Sequence, residues 1–306
     1  MRIRNTLMVL WILWTAVPVS ADQLLYLKQG AFGTVVVTQQ GSIRKLSFRQ
    51  PEGDLEQSRC DIRDPDRLLH EYNRMQLLGL LLCPDPRRVL VVGLGGGSLS
   101  KALARLLPAA TIDSIEIDPV VADVARRFFF YREGPQVRTF VEDARVYVER
   151  TDAEYDLIVL DAFDGLEIPE PLRTLEFYRA LEGRLAPGGV VMANLHLPSD
   201  LYSSDRNTLA AVFPNQYAFL GTAQVVLACH RSPARHTREQ LLERARSWPG
   251  GYPLEDYCRT LGAAEEWDRG APILMDASPG GARPRSKWGN PSDRDAEPGN
   301  VRARSR

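Results

Sequence analysis

Apolar residues fall two apart in some stretches of this chain and three or four apart in others, and the changes of period mark out its elements. Short alternating runs dominate from Leu24 to about Cys60. Residues 34–38 read Thr-Val-Val-Val-Thr, Gln39-Gln40-Gly41 makes a turn, and Ile43, Leu46 and Phe48 continue the alternation. This pattern predicts a small antiparallel β-hairpin domain over 22–62. Asp64-Pro65 then predicts a helix start, with Asp as N-cap and Pro in the first turn. Leu68, Leu69, Tyr72, Met75, Leu78 and Leu82 keep helical spacing up to Pro84 and Pro86.

Beyond Pro86 the two periods alternate. Strands are predicted over 88–92, 111–117, 136–141, 156–160 and 189–194, and helices over 98–107, 119–129, 144–149 and 172–185. A helix over 203–213 and strands over 216–220 and 224–229 follow, with one of that last pair joining antiparallel. Thr237-Arg238-Glu239-Gln240 fits a capping box that opens one more helix. Such alternation predicts an α/β fold, a Rossmann-like, mostly parallel sheet covered on both faces, over 63–262. The last 30 or so residues, 276–306, are rich in Pro, Gly, Ser, Arg and Asp without apolar periodicity, and read as a disordered tail.

The ends and the composition narrow the function classes. Arg2 and Arg4 precede an apolar run from Leu7 to Val17, and Val19-Ser20-Ala21 supplies small residues before Asp22. Residues 1–21 therefore read as a secretory signal peptide or a membrane anchor. That layout predicts an exported, periplasmic or membrane-associated protein, whereas dependence on a cofactor made in the cytoplasm would predict a cytoplasmic one. Lys and Arg number 38 against 39 Asp and Glu, a formal net charge of −1, so no basic field draws a nucleic acid. Cys60, Cys83, Cys229 and Cys258 form no Cys-x-x-Cys pair, and no His stands at metal spacing, so no metal is expected.

Candidate chemistry gathers where strands end. Residues 89–100 run from an apolar strand through Gly93, Gly95 and Gly97 into a helix, a turn that lets backbone approach a ligand closely. Glu116 follows about 20 residues later, where an acidic side chain accepts from both hydroxyls of a ribose. Asp143, before Ala144, can accept from an exocyclic adenine amine, cap the next helix, or do both. Asp161 and Asp164 end the following strand beside the expected reaction centre; the plain alternative is a pair of loop carboxylates. No phosphate-binding lysine follows the turn, so the pattern favours a nucleoside carrying a reactive sulfonium.

Gly93–Ser98, Glu116-Ile117-Asp118, Asp143-Ala144, the 161–164 segment and Pro187-Gly188-Gly189 resemble the spermidine/spermine synthase family of polyamine aminopropyltransferases, over about residues 24–229. The resemblance implies a class I S-adenosylmethionine-dependent methyltransferase fold with an added N-terminal hairpin domain. It implies decarboxylated S-adenosylmethionine as donor of an aminopropyl group and a small-molecule amine such as putrescine as acceptor. On the same basis Glu116 binds ribose, Asp143 the adenine amine, and Asp161 is catalytic. Asp164 holds the amine, while Gln57 and Tyr72 match a nucleoside-contacting glutamine and an active-site tyrosine. A dimer or tetramer, assembled partly through the hairpin domain, is also implied.

Four positions depart from the family pattern. Gly96 stands where the family has an aspartate that grips the aminopropyl ammonium, Tyr72-Asn73-Arg74 replaces Tyr-His-Glu, and Gly165 replaces a proline. Arg74 could recognise a carboxylate, for instance that of intact S-adenosylmethionine. The alternative functions are thus a methyltransferase on the same scaffold and a non-catalytic binding or accessory protein.

Overall fold

The computed structural model describes residues 22–51, 53–164, 167–231, 236–261 and 266–277. Residues 1–21, expected to be a signal peptide or anchor, and the expected tail from 278 lie outside the described residues, as do Gly165 and Leu166.

Four strands, β1 (Gln23–Gln29), β2 (Thr34–Gln40), β3 (Ile43–Gln50) and β4 (Gly53–Asp61), form an antiparallel sheet in the order β1-β2-β3-β4. The run of valines puts Val35 and Val37 on one side, where they pack with Leu46 and Cys60 against Val120, Val121 and Val124. Between β3 and β4 the register skips, pairing Leu46 with Ser58 and Ser47 with Glu56. Gln57 is thereby left unpaired in a bulge, a feature that re-aims a side chain.

The predicted helix from Asp64 does not form. Asp64 bridges back to Asp61, and the chain turns through 64–70 before α1 (Glu71–Gln76). Leu77 and Leu78 then take i→i−3 hydrogen bonds, and α2 (Gly79–Leu82) follows as a second short helix. Of the predicted inward positions, Leu68, Met75 and Leu78 are buried and Leu69, Tyr72 and Leu82 half-buried. Leu77, Leu80 and Leu81 are buried without having been predicted, and the helix is not continuous. Gly79 lies where a Cβ would stand 2.8 Å from Leu157 and 2.9 Å from Met192, so the backbone presses on the sheet here.

The main sheet comprises β5 (Arg88–Val92), β6 (Thr111–Glu116), β7 (Val137–Val141), β8 (Tyr155–Leu160), β9 (Leu185–His196), β10 (Asn215–Leu220) and β11 (Gln224–His230), in the order β10-β11-β9-β8-β5-β6-β7. Only β11 runs against the others, as the close spacing of the last two strands predicted. Both faces of β5 are buried. Val89 and Val91 join one core with α1, α2, α3 (Ser98–Leu106) and α8 (Arg238–Ser247), and Leu90 and Val92 join another with α5 (Ala144–Arg150), α6 (Leu175–Glu182) and α7 (Tyr202–Val212). Two-sided burial explains why this strand reads as a continuous apolar run.

Three further boundaries differ from the prediction. The helix expected over 172–185 is a 3-10 turn at Glu170–Leu172 followed by α6, with Thr174 as N-cap accepting from Phe177 N. Pro187-Gly188-Gly189 does not open β9 but bulges inside it, Gly188 taking φ +79°. Asp276, expected in the tail, is held by Arg145 through two bonds of 2.7 and 2.6 Å, and its N–H donates to Glu176. A bidentate partner on α5 outweighs the local composition there. The four cysteines are free thiols, and Thr237 and Gln240 form the capping box of α8.

Candidate active site

The carboxyl ends of β5, β6 and β8 converge on one place because their parallel pairing puts all three ends on the same edge of the sheet. Gly93, Gly95 and Gly97 adopt φ of +95°, +53° and +71°. Gly93 needs glycine for a second reason: a Cβ would stand 2.8 Å from the carbonyl carbon of Asp161 and nearer still to its oxygen. The Asp161 N–H also donates to Val92 O at 2.9 Å. The glycine turn and Asp161 are therefore one structural unit.

Glu116 is buried at the end of β6. Its Oε2 accepts from Leu94 N at 3.2 Å and Gly95 N at 3.4 Å, and Oε1 accepts from Asp118 N at 3.0 Å. Burial pushes its pKa up to about 7, and these three amide bonds pull it back only partly. Glu116 thus shapes the glycine turn itself, and Oε1, with a single bond, keeps acceptor capacity for a hydroxyl. Asp118 caps α4 (Pro119–Phe128) through Val120 N and takes Ala31 N at 2.7 Å, tying the small sheet to the same corner.

Asp143 is the N-cap of α5, accepting from Arg145 N at 2.7 Å and Val146 N at 3.3 Å, with Ala144 buried behind it. The capping role is therefore present. Ile117, Val141 and Val146 are exposed beside Glu116 and Asp143 and leave an apolar rim there. Sequence reasoning missed these three, although Ile117 lies between two named acids. A cleft of about 310 Å³ of empty volume is lined by Leu160, Ala162, Ile168, Leu172, Phe177 and Tyr178 among others.

Asp161 sits within a ring of carboxamides. Asn73 Nδ2 donates to its Oδ2 and Asn194 Nδ2 to its Oδ1, each at 3.3 Å. Loss of water pushes the Asp161 pKa up to about 7, and the Asn194, Gln76 and Asn73 side chains oppose that rise. Tyr72 stacks on His70 with centroids 5.1 Å apart. Burial, then the nearby Asp161 and Glu56 charges, hold its phenol well above the usual tyrosine value. Asp164 titrates up to about 6, raised by burial and by Glu167 and lowered by Arg173. Arg173 also pairs with buried Asp205 and donates to Glu167 and Ile168 O, which anchors the segment after Asp164.

Two predicted residues are placed differently. The Gln57 amide turns back to Leu55 O at 3.4 Å. Its neighbour Ser58 makes the contact with the glycine turn instead, accepting from Gly96 N at 3.0 Å. Arg74 points away from the site and binds Tyr257 Oη, Leu68 O and Leu69 O at 2.8 to 3.0 Å. It joins the 64–70 turn to α9 (Leu254–Arg259) and is not a carboxylate receptor in this arrangement. Gly96 is required by packing, since a Cβ there would lie 2.9 Å from the Phe129 ring and 3.1 Å from Ser58 Oγ. Gln76, Asn194 and Ser58 are neighbours of this site that no motif indicated, and Asn73 was indicated only as a departure from the family's Tyr-His-Glu pattern.

A seven-stranded sheet with one reversed strand, a glycine turn and acids at successive strand ends define the class I methyltransferase-like fold. Residues 70–221 match the spermine/spermidine synthase domain family. A polyamine aminopropyltransferase of Vibrio vulnificus is 34% identical over 251 residues, covering 80% of each chain. One from Chromobacterium violaceum is 33% identical over 230 residues, covering 74% of this chain and 87% of its own. Spermidine synthase from Thermotoga maritima has a similar fold, with a TM-score of 0.62 at 19% identity over 79% of this chain and 85% of that one. Human methyltransferase-like protein 13, solved in complex with SAH, matches at TM-score 0.54 and 27% identity over 66% of this chain and 96% of that one. The chain belongs to the polyamine aminopropyltransferase family.

Proposed function

We propose that this protein transfers an aminopropyl group from decarboxylated S-adenosylmethionine to a small amine such as putrescine, with Asp161 as the base. The observation that carries this reading is the Asp161 carboxylate itself, desolvated, held by neutral amides and built into the same backbone unit as the glycine turn. In the step, the amine nitrogen forms a bond to the aminopropyl carbon attached to sulfur. The carbon–sulfur bond breaks with its electron pair going to sulfur, which leaves as a neutral thioether. The amine arrives as an ammonium whose proton must first pass to Asp161, a group with a pKa near the working pH, to free the lone pair that attacks, and the product leaves as the secondary ammonium.

Glu116 and Asp143 would take the ribose hydroxyls and the adenine amine, with Ile117 and Val146 against the base. Asp164 would hold the amine cation and Tyr72 would close the side of α1. No metal takes part in this reading. The Arg2–Ala21 layout supports export or anchoring, and a homodimer through the small sheet is carried by the family resemblance alone.

One observation favours a second reading, methyl transfer from intact S-adenosylmethionine. Gly96 offers no carboxylate to a donor ammonium and has no room for one beside Phe129. Incubation of the purified protein with decarboxylated S-adenosylmethionine and putrescine separates the two. Spermidine should form, with kcat/KM level above about pH 7 and falling about tenfold per pH unit below it, because protonated Asp161 cannot accept a proton. Absence of spermidine, together with tight calorimetric binding of the intact donor, would establish the second reading. Binding of neither donor would point to an accessory protein.

A further inference from the structure

Gln76 is 1% exposed, and its two polar atoms are treated differently. Oε1 accepts from Asn73 Nδ2 at 3.1 Å, while Nε2 makes no hydrogen bond within 3.5 Å, although the Gln76 side chain faces Asp161 closely enough to hold that carboxyl's pKa down. A buried amide nitrogen left unpaired costs about 1–3 kcal/mol, so a glutamine is an expensive way to fill space beside Met75 and Leu77. Asn73 and Gln76 are three apart on α1 and share a face. The same Asn73 Nδ2 that Gln76 receives is the donor to Asp161 Oδ2.

The orientation of Asn73 is what this arrangement decides. An asparagine can present either its oxygen or its nitrogen to a neighbour. Oxygen facing Asp161 would set two acceptors against each other. Gln76 Oε1 needs a donor from the same residue and so favours the orientation with nitrogen inward. We propose that Gln76 is a positioning residue for the transfer: it locks the Asn73 amide toward Asp161 and holds its own unpartnered Nε2 as a further donor for that carboxylate.

This inference rests on Asp161 being the base. Glu116 at the end of β6 is raised to about 7 and Asp164 to about 6, so the Asp161 carbon is followed directly, and the groups facing it are these. From α1, Asn73 and Gln76 are amides and Tyr72 stays protonated well beyond the usual range. Behind Tyr72, β4 contributes Glu56 and Arg59, which pair with each other. From β9 the facing group is the Asn194 amide. Farther along the segment after β8, Asp164 faces Glu167 and Arg173.

The test uses Gln76→Met, which keeps volume and removes both polar atoms, alongside Asn73→Leu and the double variant. Two midpoints are read: the acidic limb of kcat/KM, and the titration of the Asp161 carboxyl carbon by NMR without substrate, assigned by its absence in Asp161→Asn. Gln76→Met should raise both midpoints by about 0.5–1 unit, since a carboxylate that loses donors holds its proton more tightly. It should lower kcat about tenfold with KM within twofold, and the double variant should shift the midpoint by less than the sum of the two single shifts, because Asn73→Leu already removes the amide that Gln76 orients.

An unchanged midpoint with a lowered Tm, or shifts that add, would overturn the proposal and leave Gln76 as packing. If Gln76→Met does not fold, Gln76→Leu removes the same two polar atoms with a smaller side chain. Its midpoint should also rise, and an unchanged one overturns the proposal. Failure of the underlying reading looks different, because then wild-type kcat/KM has no limb matching the Asp161 carbon while the carbon titration still reports on Gln76.

Discussion

Asp161→Asn should lower aminopropyl transfer by roughly 10²–10⁴-fold while leaving donor binding within a few-fold, because it removes a proton acceptor and not a nucleoside contact. The same substitution should stabilise the protein at pH 8. The Asp161 pKa is raised from its ordinary value of 3.8 to about 7 in the folded chain. A carboxyl raised in this way contributes stability that is fully present below pH 4 and is lost as pH rises through 7. At pH 8 the wild-type protein therefore carries the full cost of a desolvated charge, and the asparagine variant does not.

The expected gain is about 2 kcal/mol, less than the raised pKa alone would imply, because an amide at 161 meets the donor nitrogens of Asn73 and Asn194 less well than a carboxylate does. Thermal melts at pH 8 and pH 4 check it. The variant should melt higher at pH 8, and its advantage should shrink toward pH 4. A variant less stable at both values, with transfer intact, would remove Asp161 from the mechanism.

Gly93→Ala carries the other large effect. The residue needs φ of +95°, and a Cβ would press into the backbone carbonyl of Asp161, which cannot rotate out of the way as a side chain can. Strain and overlap together should cost roughly 3–5 kcal/mol, a Tm fall of about 10 °C for a chain of this size. Gly95→Ala supplies the comparison. Its φ is also positive, but its Cβ would meet Ser58 Oγ at 3.1 Å, a rotatable hydroxyl. That variant should lose only about 1 kcal/mol. The two changes should also differ in catalysis, with Gly93→Ala reducing kcat even well below its melting point, because Asp161 moves with the clash. Equal losses at both positions would mean that the contact with Asp161 contributes nothing.

These two expectations show where local pattern sufficed and where it did not. The strand from Arg88 to Val92, the glycines after it and the acids ending β6, β7 and β8 were legible because each follows from a short-range rule. A strand buried on both faces must be apolar throughout, a tight turn near a ligand must lack Cβ atoms, and a helix start favours an acid such as Asp143. The turn over 64–70 was not legible, because a helix pattern says which side chains are buried and not whether the backbone stays continuous between them. The Asp61–Asp64 bridge decided that. The role of Arg74 was hidden for the same reason, since its three partners lie on two separate pieces of chain.

By itself, then, the sequence determined an α/β sheet with a glycine turn, a preceding antiparallel unit and a family resemblance that points to adenosyl-sulfonium chemistry. Tertiary structure alone decided what surrounds Asp161: carboxamides from α1 and β9 in place of charged groups, a backbone contact with Gly93, and Phe129 in the space beside Gly96. None of these neighbours is within 15 residues of its partner in the chain. Their proximity follows from parallel strand pairing, which brings distant strand ends to one edge, and no short-range periodicity encodes that.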